Sequence, residues 1–422
     1  MSSVKQFFQQ AATVFTGAVI GNGLLIIFLP VLTKLYSIES VGIYGFLMAA
    51  TASLIPLATG KIEQAIVVGK DNETFPLALF AIFLNVLIVF LVLFGISMAA
   101  NIFVNNIIFD FIANHRYVFA LAIIFYSSQI LLEGVANRNS NYNSISAGKI
   151  LTPLVFISLA IISPINDYSA IDLILSYAIA PILSVIYLLY SNIDKIRFHS
   201  KDIFSKMLQA AFNHKKFITI SSPTSFLDNL AASSPIYLLG IFHSPQLVAF
   251  YTLALRIGYG PLSVIARSLS QVNLKTISNI YQAGKKPIKL LKELMKPFIY
   301  FVLVMFSATF VIDDLIIIIF GDEWEMAGHI LKILFPIFLF KFFVSSFSTT
   351  LEATGFIILA SLWKLIAIIV IPSSIYILNI FFDPIGIFKG LAATELFLYI
   401  IYLCMILYAA SDDNNIRKRE LV

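Results

Sequence analysis

Long apolar runs separated by short polar segments recur along all 422 residues of the chain. A helix rises about 1.5 Å per residue, so a run of roughly 17 to 25 apolar residues can cross the hydrocarbon core of a bilayer. The pattern therefore predicts an all-α integral membrane protein with about twelve transmembrane helices. These lie near residues 10–31, 42–60, 76–98, 117–135, 149–165, 171–190, 217–241, 248–270, 297–319, 329–350, 356–378 and 388–410.

The twelve predicted spans divide evenly about the middle of the chain. We predict an N-terminal lobe of six spans over 1–190, a basic connecting loop over 191–216, a C-terminal lobe of six spans over 217–410 and a tail over 411–422. Three landmarks recur in the same order in both halves, with the same spacing between the prolines, and indicate an internal duplication of the kind that many transporters contain. They are Pro30, Tyr44 and Pro56 in the first half and Pro235, Tyr251 and Pro261 in the second.

The composition excludes a soluble globular protein. Hydrophobic residues make up 59% of the chain and charged residues 12%, with a mean hydropathy of +0.92, whereas about a quarter of the residues in soluble domains are charged. The net charge of +5 arises from basic residues in short loops between spans, so we expect no binding to nucleic acid. The single cysteine, Cys404, cannot form a disulfide within the chain.

Basic residues determine the predicted orientation in the membrane. Twenty of the 28 lysines and arginines lie in loops on the side of the two termini, against three on the opposite side. Because positively charged loops stay in the cytoplasm, both termini are predicted to be cytoplasmic. The segments over 191–216 and 273–296 mix lysines with spaced apolar residues, which is typical of helices on an anionic membrane surface; docking of a partner protein is the alternative.

Charged side chains inside predicted spans are the candidate functional residues, because they are costly in lipid and face a protein interior or a water-filled cavity. Arg256 and Arg267 are three helical turns apart and are expected on one face, about 12 Å and about 28 Å below the outer edge of their span. The basic candidates for an anionic substrate, above all phosphate, are Arg256, Lys341, Arg267 and Lys364, and the acidic candidates for ion coupling are Asp228, Glu133 and Glu395. The alternative for each is pairing within the fold or extension toward the membrane surface.

A polar stripe is predicted on the tenth span. Its members are spaced by four, three and four residues, which places them on one face of a helix. They are Lys341, Ser345, Ser348 and Glu352.

Sequence signatures of metal sites and enzymes are absent. The five histidines form no His-x-x-x-His pair, and the chain has no Walker A, Gly-x-Ser-x-Gly or Gly-x-Gly-x-x-Gly motif. We therefore expect no metal, no cofactor and no enzymatic activity. Without an ATP site, uphill transport must draw on an ion gradient or on the gradient of the substrate.

Four stretches of sequence, at suitable topological positions in order along the chain, carry a family resemblance. They are PVLTKLYSIESVGIYGFLMA (30–49), KIEQAIVVGKDNE (61–73), AFYTLALRIGYGPLSVIARSLSQV (249–272) and FGDEWEMAG (320–328). They resemble bacterial polysaccharide transporters, specifically the Wzx-type O-antigen flippases of the multidrug/oligosaccharidyl-lipid/polysaccharide (MOP) superfamily. Lys61 stands where the family has an arginine and keeps its positive charge, so the resemblance adds Lys61 to the candidate substrate-binding residues.

The resemblance implies two six-helix lobes around a central cavity that alternates its opening. The implied substrate is an undecaprenyl diphosphate bearing one oligosaccharide repeat unit, such as O-antigen, which would move from the cytoplasmic to the periplasmic leaflet of the bacterial inner membrane. The expected partners are this lipid-linked oligosaccharide, membrane lipids, and a polysaccharide polymerase with its chain-length regulator.

Two other functions stay open at this point. A cation-coupled multidrug exporter of the same superfamily would favour an intramembrane acid in the early helices of the first lobe, where the first span offers only Asn22. A membrane-embedded polysaccharide polymerase would be expected to have a long external loop with basic or catalytic residues. The longest predicted external loop, over 101–116, contains one arginine.

Overall fold

The computed structural model describes residues 2–102, 106–162, 164, 167–193 and 202–411, and over these residues the chain is helical with no β-strand. Eleven helices within this described part are long and apolar enough to cross a membrane. They correspond to eleven of the twelve predicted spans, so the prediction of an all-helical, multi-pass membrane protein is confirmed. The candidate spans are Ala12–Leu35, Ile38–Thr59, Thr74–Met98, Arg116–Arg138, Tyr142–Ile162, Ala170–Asn192, Pro245–Tyr281, Ile288–Phe310, Asp322–Ala353, Ile357–Phe381 and Pro384–Ser411.

The chain forms two compact units, unit 1 (Met1–Ala249) and unit 2 (Phe250–Val422). The helices of unit 1 are α1 (Ser2–Leu35), α2 (Ile38–Thr59), α3 (Ile62–Val68), α4 (Thr74–Ile102), α5 (Ile107–Asn114), α6 (Arg116–Arg138), α7 (Tyr142–Ile162), α8 (Ala170–Ile179), α9 (Pro181–Asn192), α10 (Ile203–Asn213), α11 (Ser222–Ala232) and α12 (Ser234–Phe242). The division between the units falls within α13 (Pro245–Ala254). Unit 2 continues with α14 (Gly260–Gln282), α15 (Ile288–Phe306), α16 (Ile312–Phe320), α17 (Glu325–Ser346), α18 (Thr350–Ala353), α19 (Ile357–Phe381) and α20 (Pro384–Ser411). The predicted lobe boundaries and the cytoplasmic position of the termini stay predictions.

The seventh predicted span, over 217–241, is divided into three consecutive helical pieces. A π-helical turn over Phe217–Ser221 is followed by α11 and then by α12. A proline has no backbone N–H and cannot bond to the carbonyl four residues earlier. Pro235 therefore frees the carbonyl of Ala231, which accepts a hydrogen bond from the Ser234 hydroxyl at 2.8 Å instead. The prolines of this polar stretch explain why the span is not one continuous helix.

The segment over 273–296, predicted to lie on the membrane surface, does not form a separate helix but continues two long helices. Helix α14 runs without interruption to Gln282, and α15 begins at Ile288, so that only a short turn joins them. At the far end of α15 a 3₁₀ turn, Ser307–Phe310, precedes α16, which has Asp313 and Asp314 in its first turn. Acidic residues near a helix N-terminus interact favourably with its dipole, so the two aspartates mark a new helix rather than the end of the ninth span.

The aromatic landmarks of the two halves have similar surroundings. In unit 1 the buried Tyr44 of α2 stacks on Phe156, with ring centroids 5.4 Å apart. In unit 2 the buried Tyr251 of α13 stacks on Phe388, with centroids 5.6 Å apart. Stacked aromatic pairs prefer this range of separations. The duplication itself stays a prediction, and these two contacts support it.

Candidate functional site

A cavity of about 600 Å³ lies inside unit 1. Its walls come from α1, α3, α6, α7 and the π-helical turn that begins at Phe217, and they combine apolar side chains with acidic, basic and amide groups. The volume is within the range of about 300 to 1,000 Å³ that small-molecule sites occupy. The polar residues of the wall are Glu63, Gln64, Glu133, Asn137, Tyr142 and Lys149.

The short helix α3 is held against α6 by a close backbone approach. A Cβ atom at Gly134 would lie 2.7 Å from the backbone oxygen of Glu63, so only glycine permits this packing. Arg138, at the end of α6, donates from Nη1 to the carbonyl oxygens of Ile66 at 2.5 Å and of Gly69 at 2.6 Å. These carbonyls belong to the C-terminal end of α3, where a positive charge is favourable. The KIEQAIVV stretch is thereby fixed as one wall of the cavity.

Glu133 is the innermost acid of the cavity and is held by a polar chain. Gln129 donates from Nε2 to Glu133 Oε1 at 3.0 Å, and the Thr152 hydroxyl donates to Gln129 Oε1 at 3.0 Å. The ammonium group of Lys149, on the same cavity wall, acts on Glu133 electrostatically. The hydrogen bonds from Thr152 to Gln129 and from Gln129 to Glu133 fix the orientation of Glu133 Oε1. Lys149 places a positive charge near the same carboxylate.

Glu63 supplies the second carboxylate of the cavity. Its Oε1 lies 3.7 Å from Lys61 Nζ, and both side chains are largely buried. Its Oε2 is buried and has no hydrogen-bond partner among the described residues. A buried acceptor without a partner costs free energy, so this oxygen calls for a hydrogen-bond donor that the described residues do not supply.

A closed ion pair lies at the centre of unit 2. Lys341 of α17 donates from Nζ to Glu395 Oε1 of α20 at 2.9 Å, and the two side chains are 13% and 7% exposed. The same ammonium lies 4.9 Å from the ring centroid of Tyr259 and 5.6 Å from that of Tyr399. Carboxylate and aromatic faces together satisfy the buried cation. The pair has no net charge in this arrangement.

The predicted polar stripe of the tenth span lies opposite a second stripe on α20, but it is not on one helix, because α17 ends at Ser346 and Glu352 belongs to α18. Besides the ion pair, Ser345 is hydrogen-bonded to Tyr399 and Ser348 to Tyr402, while Glu352 is close enough to Tyr402 to act on it electrostatically. The members of the α20 stripe are Glu395, Tyr399 and Tyr402, which the spacing of four and three residues places on one face.

The remaining candidates lie on other helical segments. Arg256 is half-buried in a π-helical turn, Leu255–Tyr259, whereas Arg267 is exposed on α14. A single π turn adds one residue and rotates the positions after it by about 100°. The regular spacing on which a shared face of Arg256 and Arg267 depends is therefore interrupted, and the shared face stays a prediction. Lys364 is exposed on α19, and Asp228 is half-buried on α11.

Sequence reasoning missed the cavity of unit 1 and several of its polar residues. Gln64 and Asn137 are uncharged and give no signal in the sequence, and Lys149, the first residue of the fifth predicted span, lies about two turns inside α7. Glu63 stands within the family-like stretch KIEQAIVVGKDNE, which was the available signal. Among the described residues no group of three or more histidine, cysteine or acidic side chains is placed to hold a metal ion.

Solved structures with a similar fold cover nearly the whole chain. The lipid II flippase MurJ, in an inward closed conformation, gives a TM-score of 0.69 at 16% identity over 94% of this chain and 87% of MurJ. An inward-facing multidrug resistance MATE family transporter of the MOP superfamily gives 0.67 at 13% identity over 96% of each chain. The Vibrio cholerae MATE transporter VcmN gives 0.57 at 15% identity over 99% of each chain. At such identities the likeness establishes the fold alone.

At the level of sequence the likeness is to a family rather than to an individual protein. No protein with a curated description matches significantly. Residues 31–328, which extend from α1 into α17, match the family described as "Polysaccharide biosynthesis protein". The matched region includes all but one of the residues that line the cavity, the exception being Val14. Because the match covers well over half of its length, the chain belongs to the polysaccharide biosynthesis protein family, and its fold is that of the MOP-superfamily transporters.

Proposed function

We propose that this protein is a flippase that moves undecaprenyl-diphosphate-linked oligosaccharide repeat units, as used for O-antigen or a similar surface polysaccharide, across the bacterial inner membrane. Movement runs from the cytoplasmic to the periplasmic leaflet by alternating access and is coupled to an ion gradient. The observation that carries this proposal is the family match, which extends over the helices that surround the cavity of unit 1. The fold shared with MurJ, a lipid II flippase, supports it.

The cavity of unit 1 has the chemistry for the sugar part of such a substrate. The Glu63 and Glu133 carboxylates accept hydrogen bonds from sugar hydroxyls, and the Gln64 and Asn137 amides both donate and accept. The basic side chains Lys61 and Lys149 stand beside the two acids. A site built for hydroxyl groups discriminates against ligands that lack them, because its buried polar atoms would then stay unpaired.

The closed pair of unit 2 provides a way to couple an ion to an anionic substrate. While Glu395 is ionised, Lys341 is neutralised at 2.9 Å. Protonation of Glu395 would leave the Lys341 ammonium as an uncompensated charge, which favours a diphosphate in place of the carboxylate. Glu133 and Asp228 are the further acids proposed for coupling.

The remaining basic residues are proposed to act on the diphosphate at different depths. Arg256, half-buried on its π-helical turn, is the main contact within the membrane. Arg267 and Lys364 are exposed on their helices, and we assign them to attraction of the diphosphate. Such exposed charges act over a distance that is shortened by salt.

Complementation of a flippase-deficient strain tests the assignment. The Arg256→Ala and Glu133→Gln variants should lose surface polysaccharide while protein levels in the membrane stay unchanged, whereas Lys289→Ala, which removes an exposed lysine of α15, should behave as wild type. In proteoliposomes, wild type should expose lipid-linked oligosaccharide to a membrane-impermeant glycosidase. Full polysaccharide in the Arg256→Ala strain would contradict the role of Arg256.

A cation-coupled exporter is the second candidate, supported by the fold shared with MATE transporters. It predicts increased tolerance to cationic dyes on expression, with no movement of lipid-linked oligosaccharide in proteoliposomes. A polymerase would lengthen glycan chains without moving the lipid-linked unit. Dye tolerance without oligosaccharide movement would overturn the flippase assignment.

A further inference from the structure

Helix α10 carries three different strips along its length. The side chains of Ala210 and Ala211 are buried, and Ala210 packs in a core cluster with residues of α3 and α4. At about 100° per residue, the apolar positions 204, 208 and 212 form a second strip beside this buried face. The polar residues Lys206, Gln209 and Asn213 occupy the side that is left, and they are exposed.

The second strip is apolar and uncovered. Phe204 is 67% exposed, Leu208 47% and Phe212 67%. Single exposed apolar side chains are common on protein surfaces, but three in line on an eleven-residue helix are typical of a helix that lies in a membrane interface.

Hydrogen bonds hold the end of α10 at the level where a membrane helix begins. The Asn213 amide donates to Glu73 Oε1 at 3.0 Å, His214 Nε2 lies 3.1 Å from Glu73 Oε2, and the Lys70 backbone N–H donates to Oε2 at 3.0 Å. Glu73 immediately precedes α4, whose apolar span starts at Thr74. The apolar strip is thus next to the start of the hydrocarbon region.

The Glu73 carboxylate, whose hydrogen bonds hold the end of α10, is ionised at neutral pH. Burial opposes the charge on Glu73, but the hydrogen bonds from Lys70, His214 and Asn213 outweigh it and lower the pKa of Glu73 to about 2. Charge-assisted hydrogen bonds of this kind are stronger than neutral ones. The position of α10 relative to α4 is therefore well defined at neutral pH.

Cations border the apolar strip. Lys215 places its ammonium 4.3 Å from the centre of the Phe212 ring, and Lys215 and Lys216 are both exposed. A lysine beside an apolar strip at the membrane boundary can extend to the headgroups while its methylene groups stay in contact with apolar side chains. Each basic residue near a leaflet with negative surface potential adds to the attraction.

We propose that α10, with the two lysines that follow it, binds anionic phospholipid of the bilayer, with Phe204, Leu208 and Phe212 inserted below the headgroups that Lys215 and Lys216 contact. The uncovered strip lies beside the start of a candidate membrane span and has cations at its C-terminal end, which matches a lipid surface better than a second protein. The proposal is independent of the substrate that the protein transports.

Lipid binding at α10 would also act on the cavity of unit 1. Phe217 lies three residues beyond His214 and forms part of the cavity wall. It also packs against the core cluster that contains Ala210. Anchoring α10 in the headgroup layer would therefore hold this wall in place, so that the lipid composition influences the shape of the cavity.

Site-specific labels on the full-length protein in nanodiscs test the insertion. Cys404 is the single cysteine, so a Cys404→Ser background permits one bimane label at a time. A label on the Leu208→Cys variant should be quenched by nitroxide-bearing lipid and shielded from aqueous iodide. A label on Gln209→Cys, from the neighbouring polar strip, should show the reverse pattern.

A second measurement tests the preference for anionic lipid. In nanodiscs of phosphatidylcholine with phosphatidylglycerol, wild type should be enriched several-fold in neighbouring phosphatidylglycerol over a Lys215→Gln, Lys216→Gln variant, as read by energy transfer from a labelled lipid. Equal enrichment would overturn the headgroup contact. Iodide quenching of the label at position 208 would overturn the insertion, and disulfide-linked dimers of Leu208→Cys would identify a second copy as the occupant instead.

Discussion

In unit 1 the polar side chains of α3, α6 and α7 surround a cavity of about 600 Å³, whereas in unit 2 the polar stripes of α17 and α20 are packed against each other. A carboxylate oxygen of Glu63 has no partner among the described residues, while the Lys341 ammonium has a carboxylate and two aromatic rings around it. The two units have similar aromatic contacts at Tyr44 and Tyr251. They differ in that charged side chains line a cavity in unit 1 and form a closed ion pair in unit 2.

The difference separates two ways of keeping a charge within a membrane. An open cavity leaves polar groups to water or ligand, so each group can be replaced at modest cost to stability. A closed pair repays the cost of desolvation only while both partners are present, so the loss of one is severe. We therefore expect substitutions that break the closed pair of Lys341 and Glu395 to act on folding, and substitutions in the cavity of unit 1 to act on transport.

The largest effect is expected from breaking the closed pair. Lys341→Met leaves the Glu395 carboxylate buried without its ion partner and should lower the free energy of unfolding by about 3–5 kcal/mol. The double variant Lys341→Met, Glu395→Leu removes both charges and should recover most of the loss. Thermal unfolding in detergent measures both, and a double variant as unstable as the single one would contradict the pairing.

A smaller effect is expected where α3 approaches α6. Gly134→Ala places a methyl group 2.7 Å from the Glu63 backbone oxygen and should cost about 1–3 kcal/mol as α3 shifts outward. Gly95→Ala is the matched control, because a Cβ there meets no atom within 4 Å in the structure. The control should be neutral or slightly stabilising. Equal unfolding temperatures for the two variants would show that the approach is not tight.

The hydrogen bonds of the Glu73 carboxylate should make a pH-dependent contribution to the free energy of unfolding. The pKa of Glu73 is lowered to about 2 from 4.5, so its contribution to stability is present above pH 4.5 and is lost as the pH falls toward 2. Glu73→Gln should cost about 1–2 kcal/mol at neutral pH. Unfolding measured against pH should show the two proteins converging on acidification; a difference that grows in acid would be the wrong sign.

The smallest effect is expected at a surface pair of unit 2. The hydrogen bond from Lys332, at 2.6 Å, lowers the pKa of Asp313, but the Lys332 side chain is 42% exposed. Water and salt screen such a pair, so Asp313→Asn should cost less than about 1 kcal/mol, and less still at high salt. A loss as large as that of Lys341→Met would remove the distinction between buried and exposed pairs in this unit.

Hydrophobic periodicity predicted most of the fold. Eleven of the predicted spans have membrane-length counterparts, because the cost of burying unpaired backbone groups in lipid forces a long apolar run into a helix whatever its neighbours are. The exception is the segment over 217–241, which its prolines divide into shorter helices. The segment over 273–296 was assigned to the membrane surface because its lysines weaken the apolar signal, although it continues α14 and α15.

The candidate site was predictable only in part. Lys341, Glu395 and Glu133 could be selected as charges within apolar runs, and the face shared by Lys341 and Ser345 followed from helical spacing. The pairing of Lys341 with Glu395 could not be foreseen, since the two belong to different helices. The π-helical turn at Arg256 could not be foreseen either, because regular spacing assumes a regular helix.

The sequence by itself determined that the protein is a helical membrane protein, and it identified the charged residues that lie within apolar runs. Each spanning helix must by itself be long and apolar enough to cross the bilayer, and each charge within it has a free-energy cost in lipid. Both features can therefore be recognised from local sequence. What only the tertiary structure decided is the state of those charges. Whether a carboxylate lines a cavity, as Glu133 does, or closes on a lysine, as Glu395 does, depends on which helices meet and how closely their backbones approach.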